Sequence, residues 1–266
     1  MTTSGPLLSD APNFRDFGGH RTIDGRLVRR GRLFRSELLL DLGAQDLRTL
    51  AALRIGLVCD LRSPSERRHA TGQWPAQSPA EVLALDPGTE LFAVQPEQWS
   101  RQLADPAFDE VRAHEALERN YRRMPAGFAA GLGELFARLM RPDAPRLLVH
   151  CAAGKDRTGF VCAALLRALG VAPDTVMADY LVTGQRYTPD QLIDRCIRDL
   201  LTRQLARTAR IERALRVLAS VRPSFLDAAF DEIERNLGGL DTYLAQHCGL
   251  DASARQALQT ALLQPG

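Results

Sequence analysis

The chain has 266 residues, with 34 lysines and arginines against 32 acidic residues, a formal charge of +2, 45% hydrophobic and 25% charged composition. These values fit one large α/β domain or two small ones, exclude disorder, coiled coil and collagen-like repeats, and give no electrostatic reason to bind nucleic acid. No apolar run has the length of a signal peptide core or a membrane span, so the chain reads as cytoplasmic with no integral membrane association, export without a cleavable signal staying open.

In chain order, residues 22–36 place an Asp-Gly turn signal before short alternating runs, which predicts strands near the N-terminus. Residues 44–55 carry Leu47, Leu50, Ala51 and Ile55 at helical spacing, with Gly56 where a cap is expected, and 56–61 read as a buried strand. A helix feeding a buried strand is the α/β pattern. A strand is predicted at 81–85 and a helix over 117–140, weakened by Pro125 and several glycines. Residues 146–150 form a strand, followed by a helix over 158–169 that stops at Gly170. An arginine-rich helical stretch spans 189–221, for which a solvated basic face is one reading, and helices at 224–236 and 239–247 complete the chain. No internal repeat or low-complexity linker divides it, so a single domain over 1–266 is expected.

The five cysteines, at 59, 151, 162, 196 and 248, lack CxxC spacing, which argues against a disulfide framework or a zinc site. One of them sits in HCAAGKDRTG at 150–159: Cys151, five residues, Arg157, Thr158. This spacing answers a chemical problem. A phosphomonoester dianion needs many donors converging on its oxygens and a nucleophile opposite the leaving group. Five intervening residues let the amides of Ala152, Ala153, Gly154 and Lys155 curl inward as an anion nest, and Gly154 supplies the permissive dihedrals. The following helix adds its positive end, a field that also stabilises a thiolate. Arg157 offers a planar fork to two phosphate oxygens. His150 is expected to fix the loop by hydrogen bonding, and the Thr158 hydroxyl to reach back toward the sulfur. An isolated cysteine is ordinarily a core thiol, but the strand, glycine loop and helix around Cys151 favour the nucleophile. The rhodanese loop is typically one residue shorter, so the spacing favours phosphate. Neither metal nor cofactor is called for.

The loop is similar to the signature of bacterial atypical protein tyrosine phosphatases. The resemblance extends to NFRDFGG at 13–19, GRLFRSE at 31–37, VCDLRSPSE at 58–66, YLVT at 180–183 and RPSFLDAAFDEIERNLGGLDTYL at 222–244, about nine tenths of the chain. It implies a phosphatase-like α/β fold with a central, mainly parallel sheet, and a helical lid, here 184–220. It also implies Cys151 as the nucleophile of a phosphocysteine intermediate and Arg157 as the clamp. For the general acid the resemblance points to Asp60, with Asp156 in the loop as competitor; Asp60 orienting Arg62, or Asp156 holding Lys155, are the structural alternatives. Lys155, the chain's single lysine, is suited to a second phosphate on a phosphoinositide. The implied partners are thus a phosphorylated protein or a phosphoinositide. A phospho-dependent binding module without turnover is the alternative of a different class. Arg15 and Arg35 read as structural, with a minor part in positioning the loop, and Asp16 has no chemical role. Cys59 is a weak candidate to pair with Cys151 on oxidation.

Overall fold

Continuous apolar runs become the centre of a sheet buried on both faces. The structure, a computed structural model, describes residues 7–76, 78–86, 101–141, 143–196 and 208–266. Strands β1 (Arg15–Asp16), β3 (Leu33–Ser36), β4 (Ile55–Asp60), β5 (Glu81–Ala84) and β6 (Arg146–His150) form one sheet in the order β1-β3-β6-β4-β5. Only the β1–β3 pair is antiparallel; β3, β6, β4 and β5 run parallel, with Phe34 opposite Leu148 and Val58 opposite Leu148 on its other side. Alternation sorts the two faces: Leu33, Leu57, Leu147 and Val149 join the larger core and Phe34, Val58 and Leu148 the smaller, while a register shift between Ile55 and Leu57 puts Ile55 in the smaller core as well. A separate two-stranded pair joins β2 (Leu27–Val28) to β7 (Leu263–Gln264).

The helices are α1 (Ala44–Ala52), α2 (Pro64–His69), α3 (Glu110–Leu139), α4 (Asp156–Ala168), α5 (Pro173–Arg186), α6 (Pro189–Cys196), α7 (Ala209–Leu218), α8 (Pro223–Asn236) and α9 (Ala252–Leu262). A short turn, Leu240–Thr242, runs into a π-helical segment, Tyr243–His247. Leu50 of α1 packs in the smaller core; α3, α4, α8 and α9 contribute to the larger. Among the described residues no helix is long and apolar enough to cross a membrane.

The expected α/β sheet is present, with several local corrections. The first helix ends at Ala52, and Arg54, not glycine, takes the left-handed backbone (φ 48°). Gly56 lies inside β4, where a Cβ would come within 2.9 Å of Pro145 Cβ, so its cause is packing, not capping. Helix α3 begins earlier than expected because Asp109 caps the amides of Val111 and Arg112, and it runs through Pro125. Buried Ala113, Leu117, Tyr121, Met124, Phe128, Leu132, Leu135 and Leu139 keep the helical period across that proline. Their burial, at about 1.5–3 kcal/mol for each large apolar side chain, outweighs the roughly 3 kcal/mol that an interior proline costs. Helices α2, α5 and α9 are not among those expected from the sequence pattern. Of the stretch 189–221, α6 and α7 are described, and 197–207 lie outside the described residues.

Candidate active site

The loop between β6 and α4 sits at the carboxyl edge of the parallel strands, where open α/β sheets bind ligands. Cys151 is buried there, and its Sγ accepts a hydrogen bond from the Gly154 amide at 3.2 Å. The loop is pinned from behind through its carbonyls. His150 Nδ1 contacts Cys151 O at 3.2 Å, which makes this nitrogen the protonated one, since a carbonyl only accepts. The Leu38 amide donates to Ala152 O at 3.0 Å. Asn13 Nδ2 and Arg35 Nη2 donate to Gly154 O at 3.0 and 3.3 Å. Gly154 has φ +65°, and a Cβ on it would strike Ser36 O and Glu37 N, so both its dihedral and its close approach to β3 require glycine. The half-buried Ala153 packs against the larger core.

Arg157, in the first turn of α4, is held edge-on by a carboxylate the sequence reading had not singled out. Its Nη1 and Nη2 donate to Glu66 Oε2 and Oε1 at 2.7 and 2.8 Å, and Nη1 also reaches Leu61 O at 3.1 Å. Glu66 simultaneously closes the capping box of α2, accepting from the Ser63 amide at 2.8 Å while Ser63 Oγ caps the Glu66 amide. That box was legible as Ser63-x-x-Glu66 with Pro64 in the first turn. Burial works against both charges, yet their pairing outweighs it: Arg157 is held above its ordinary pKa and Glu66 below.

The two candidate acids differ. Asp60 is committed to Arg62: Oδ1 accepts from its amide at 3.0 Å, and the guanidinium spans both oxygens at 2.7–3.2 Å. His150 Nε2 lies 3.9 Å from Oδ1. Burial would raise the Asp60 pKa, but Arg62 and His150 overcome it and hold the carboxyl below its usual range. Asp156 takes its bonds on one oxygen: Oδ1 accepts from Lys155 Nζ at 2.6 Å and from Tyr121 OH at 2.9 Å, and Tyr121 OH shares a 2.7 Å bond with Tyr180 OH. Lys155 is buried and donates also to Ser220 O at 3.1 Å, so it is not a solvated loop residue. The Thr158 hydroxyl is buried without a hydrogen-bond partner among the described residues; the expected bond to the sulfur is not made, and the Gly154 amide takes that place. Cys59, Cys151, Cys162 and Cys248 are free thiols; Cys59 lies opposite Val149, and burial raises its pKa well above the ordinary value.

Behind the loop, the two arginines that read as structural converge on Asp179 of α5. Arg35 Nη1 bonds Asp179 Oδ2 at 3.0 Å, and Arg15 Nε lies 3.7 Å from Oδ1 while its Nη2 donates to Asp179 O at 3.0 Å. Both guanidinium groups also contact Thr183 Oγ1, and Arg15 donates to Asn13 Oδ1. Burial alone would raise the Asp179 pKa; Arg15, His20 and Arg35 reverse it and hold the carboxyl far down. Burial and then Arg35 lower Arg15 to about 10. Asp16 has a structural part, accepting the amides of Gly18 and Gly31 at 2.8 and 2.7 Å. Asp179, Asn13 and Tyr121 carried no local sequence signal, since their roles arise from long-range packing.

Comparison with known proteins gives one family match: the model described as "Tyrosine phosphatase family" covers residues 6–264. A Cupriavidus necator protein provisionally named a tyrosine-protein phosphatase is 35% identical over 254 residues, 91% of this chain and 83% of its own. The Mycobacterium tuberculosis protein named triple specificity protein phosphatase PtpB is 30% identical over 278 residues, 96% of this chain and 98% of its own.

Proposed function

The chain belongs to the tyrosine phosphatase family and is a protein-tyrosine phosphatase, and from that premise we propose that it hydrolyses phosphotyrosine through a phosphocysteine intermediate on Cys151. The observation that carries this reading is the pairing of a buried Cys151 at a rear-pinned loop with an Arg157 fork already oriented by Glu66. In the first step Cys151 Sγ attacks phosphorus and the tyrosyl oxygen leaves with a proton. In the second, water attacks the phosphocysteine and phosphate leaves. Arg157, through Nε and the remaining hydrogen of Nη2, and the loop amides of Ala152, Ala153, Gly154 and Lys155 carry the charge on the equatorial oxygens. Asp156 is the better placed acid. Both Asp60 oxygens face Arg62, whereas Asp156 gathers its donors on Oδ1 and, among the described residues, has none on Oδ2, which is open toward a leaving group. Acid-quenched mass spectrometry of enzyme turning over substrate tests the intermediate: a phosphate adduct on Cys151 supports it, and an adduct elsewhere, or turnover retained by Cys151→Ser, refutes it.

The triple specificity in the mycobacterial relative's name supports a range wider than phosphotyrosine, and we include phosphoserine and phosphothreonine. The phosphoinositide reading is weaker, because Lys155 would have to leave Asp156 and Ser220 to meet a second phosphate. We also propose one phosphatase domain over 1–266 with a lid at 184–220. This segment is fastened beside the loop near both ends, through Tyr187 OH to the buried Glu37 and through Ser220 O to Lys155. Three of its described arginines are engaged: Arg210 with Leu103 O and Phe108 O, Arg213 with Glu110, Arg216 with Asp190.

A further inference from the structure

At the opposite end of the strands, a second site concentrates positive charge. A cleft of about 680 Å³ lies between the start of β3, the end of α3 and the face of α9. Arg29, Arg32 and Arg141 line it, with Ser253, Gln256 and Thr260 opposite, and no acidic side chain is among its lining residues. No carboxylate of the described residues neutralises these arginines. Arg29 Nε donates to Leu263 O at 2.9 Å and Arg32 Nη2 to Ala144 O at 2.6 Å, both neutral acceptors. Arg32 Nε is buried without an acceptor among the described residues. The exposed Arg141 side chain has no hydrogen-bond or ion-pair partner there. The carboxylate of Asp251, at the start of α9, is occupied by Ser253 Oγ and the Ala254 amide.

We propose that this cleft is a second anion site, distinct from the Cys151 loop, for a small molecule bearing two or more phosphate groups. Three guanidinium groups, two with neutral acceptors and that of Arg141 with no partner among the described residues, match several phosphate oxygens by charge-assisted bonds. The volume is that of a small-molecule site, and the hydroxyl and amide groups across the cleft supply orientation. Arg32 immediately precedes β3, and its carbonyl accepts the Leu147 amide of β6 at 2.9 Å. A ligand here therefore ties α9 to the first residues of the two strands whose far ends carry the catalytic loop, and it stabilises the folded chain by mass action.

Calorimetry with inorganic tripolyphosphate tests this in an Arg157→Ala background, which weakens anion binding at the catalytic loop. One saturable binding event is expected to persist there and to weaken at least about tenfold when Arg141→Glu is added, with thermal unfolding showing the same dependence on tripolyphosphate. In otherwise unaltered protein, Arg141→Glu is expected to leave aryl phosphate turnover unchanged, which certifies folding, because the Arg141 side chain makes no bond to the described residues. Arg29→Ala serves as a second variant with the same expected loss. Binding that vanishes with Arg157→Ala alone, or that is indifferent to both Arg141→Glu and Arg29→Ala, overturns the second site without touching the phosphatase assignment.

Discussion

Two buried arginine–carboxylate assemblies flank the same loop, and they are built differently. In front, Arg157 meets Glu66 one to one through two parallel bonds. Behind, Arg15 and Arg35 share a single Asp179, with His20 3.7 Å from the same carboxylate. The front pair leaves the guanidinium's charge in one planar group whose only side-chain acceptor among the described residues is a single carboxylate, an arrangement suited to exchanging contacts with an anion. The rear cluster has more cation than anion and relieves the excess on Gly154 O, Asp179 O and Thr183 Oγ1. Local charge balance thus separates the arginine proposed to handle substrate from the arginines that bond the loop from behind.

The sharpest way to break this contrast is to replace the front arginine. Arg157→Lys keeps the charge but loses the fork, and kcat is expected to fall by about 10³-fold with little change in urea midpoint. A comparable loss of stability would mean that the front pair is also structural. Next in size is Asp179→Asn, which leaves two buried guanidinium groups short of their anion and is expected to destabilise by about 3–5 kcal/mol, read as a lower urea midpoint at unchanged slope. Wild-type stability would refute the seating role. Asp156→Asn is expected to slow alkyl phosphate turnover by about 10²-fold while sparing aryl phosphates with good leaving groups, and Asp60→Asn to affect both alike through Arg62. The reverse pattern would transfer the acid role to Asp60.

The rear cluster also sets a pH dependence. Asp179 has its folded pKa depressed below the ordinary 3.8, so its contribution is complete above that value. It is lost progressively as pH falls below 3.8 toward the folded pKa, because the unfolded chain takes up the proton first. Melting temperature is expected to drop across that acid range in the wild type, with a shallower drop in Asp179→Asn. Identical slopes would place the acid sensitivity elsewhere, with Asp60 and Glu66, which are depressed in the same direction, the next to substitute. The smallest effect is expected from Tyr121→Phe, which removes one hydrogen bond from Asp156: about fivefold on alkyl phosphates and none on aryl ones.

What was legible in the chain was what is local. The five-residue spacing from Cys151 to Arg157, the apolar run of β6 and the periodicity of α4 placed loop, strand and helix at once. The parallel sheet followed from strands alternating with helices. Partners across the fold were not legible: Glu66 lies 91 residues from Arg157, and Asp179 lies 144 from Arg35. Local signals misled where packing decided. Gly56 resembled a helix stop because glycine is common there, yet the close approach of Pro145 explains it. Pro125 resembled a break, yet the apolar stripe of α3 continues through it.

The carbonyl pins behind the loop have a consequence for its opposite face. A trans peptide is planar and points its N–H away from its C=O, and the described chain has no cis bonds. Holding Cys151 O, Ala152 O and Gly154 O toward His150, Leu38, Asn13 and Arg35 therefore turns the amides of Ala152, Ala153 and Lys155 to the other side of their planes. Three compass needles are locked before any phosphate arrives, so their reorientation is absent from the barrier. The polarity of the loop is thus set by the fold's own hydrogen bonds.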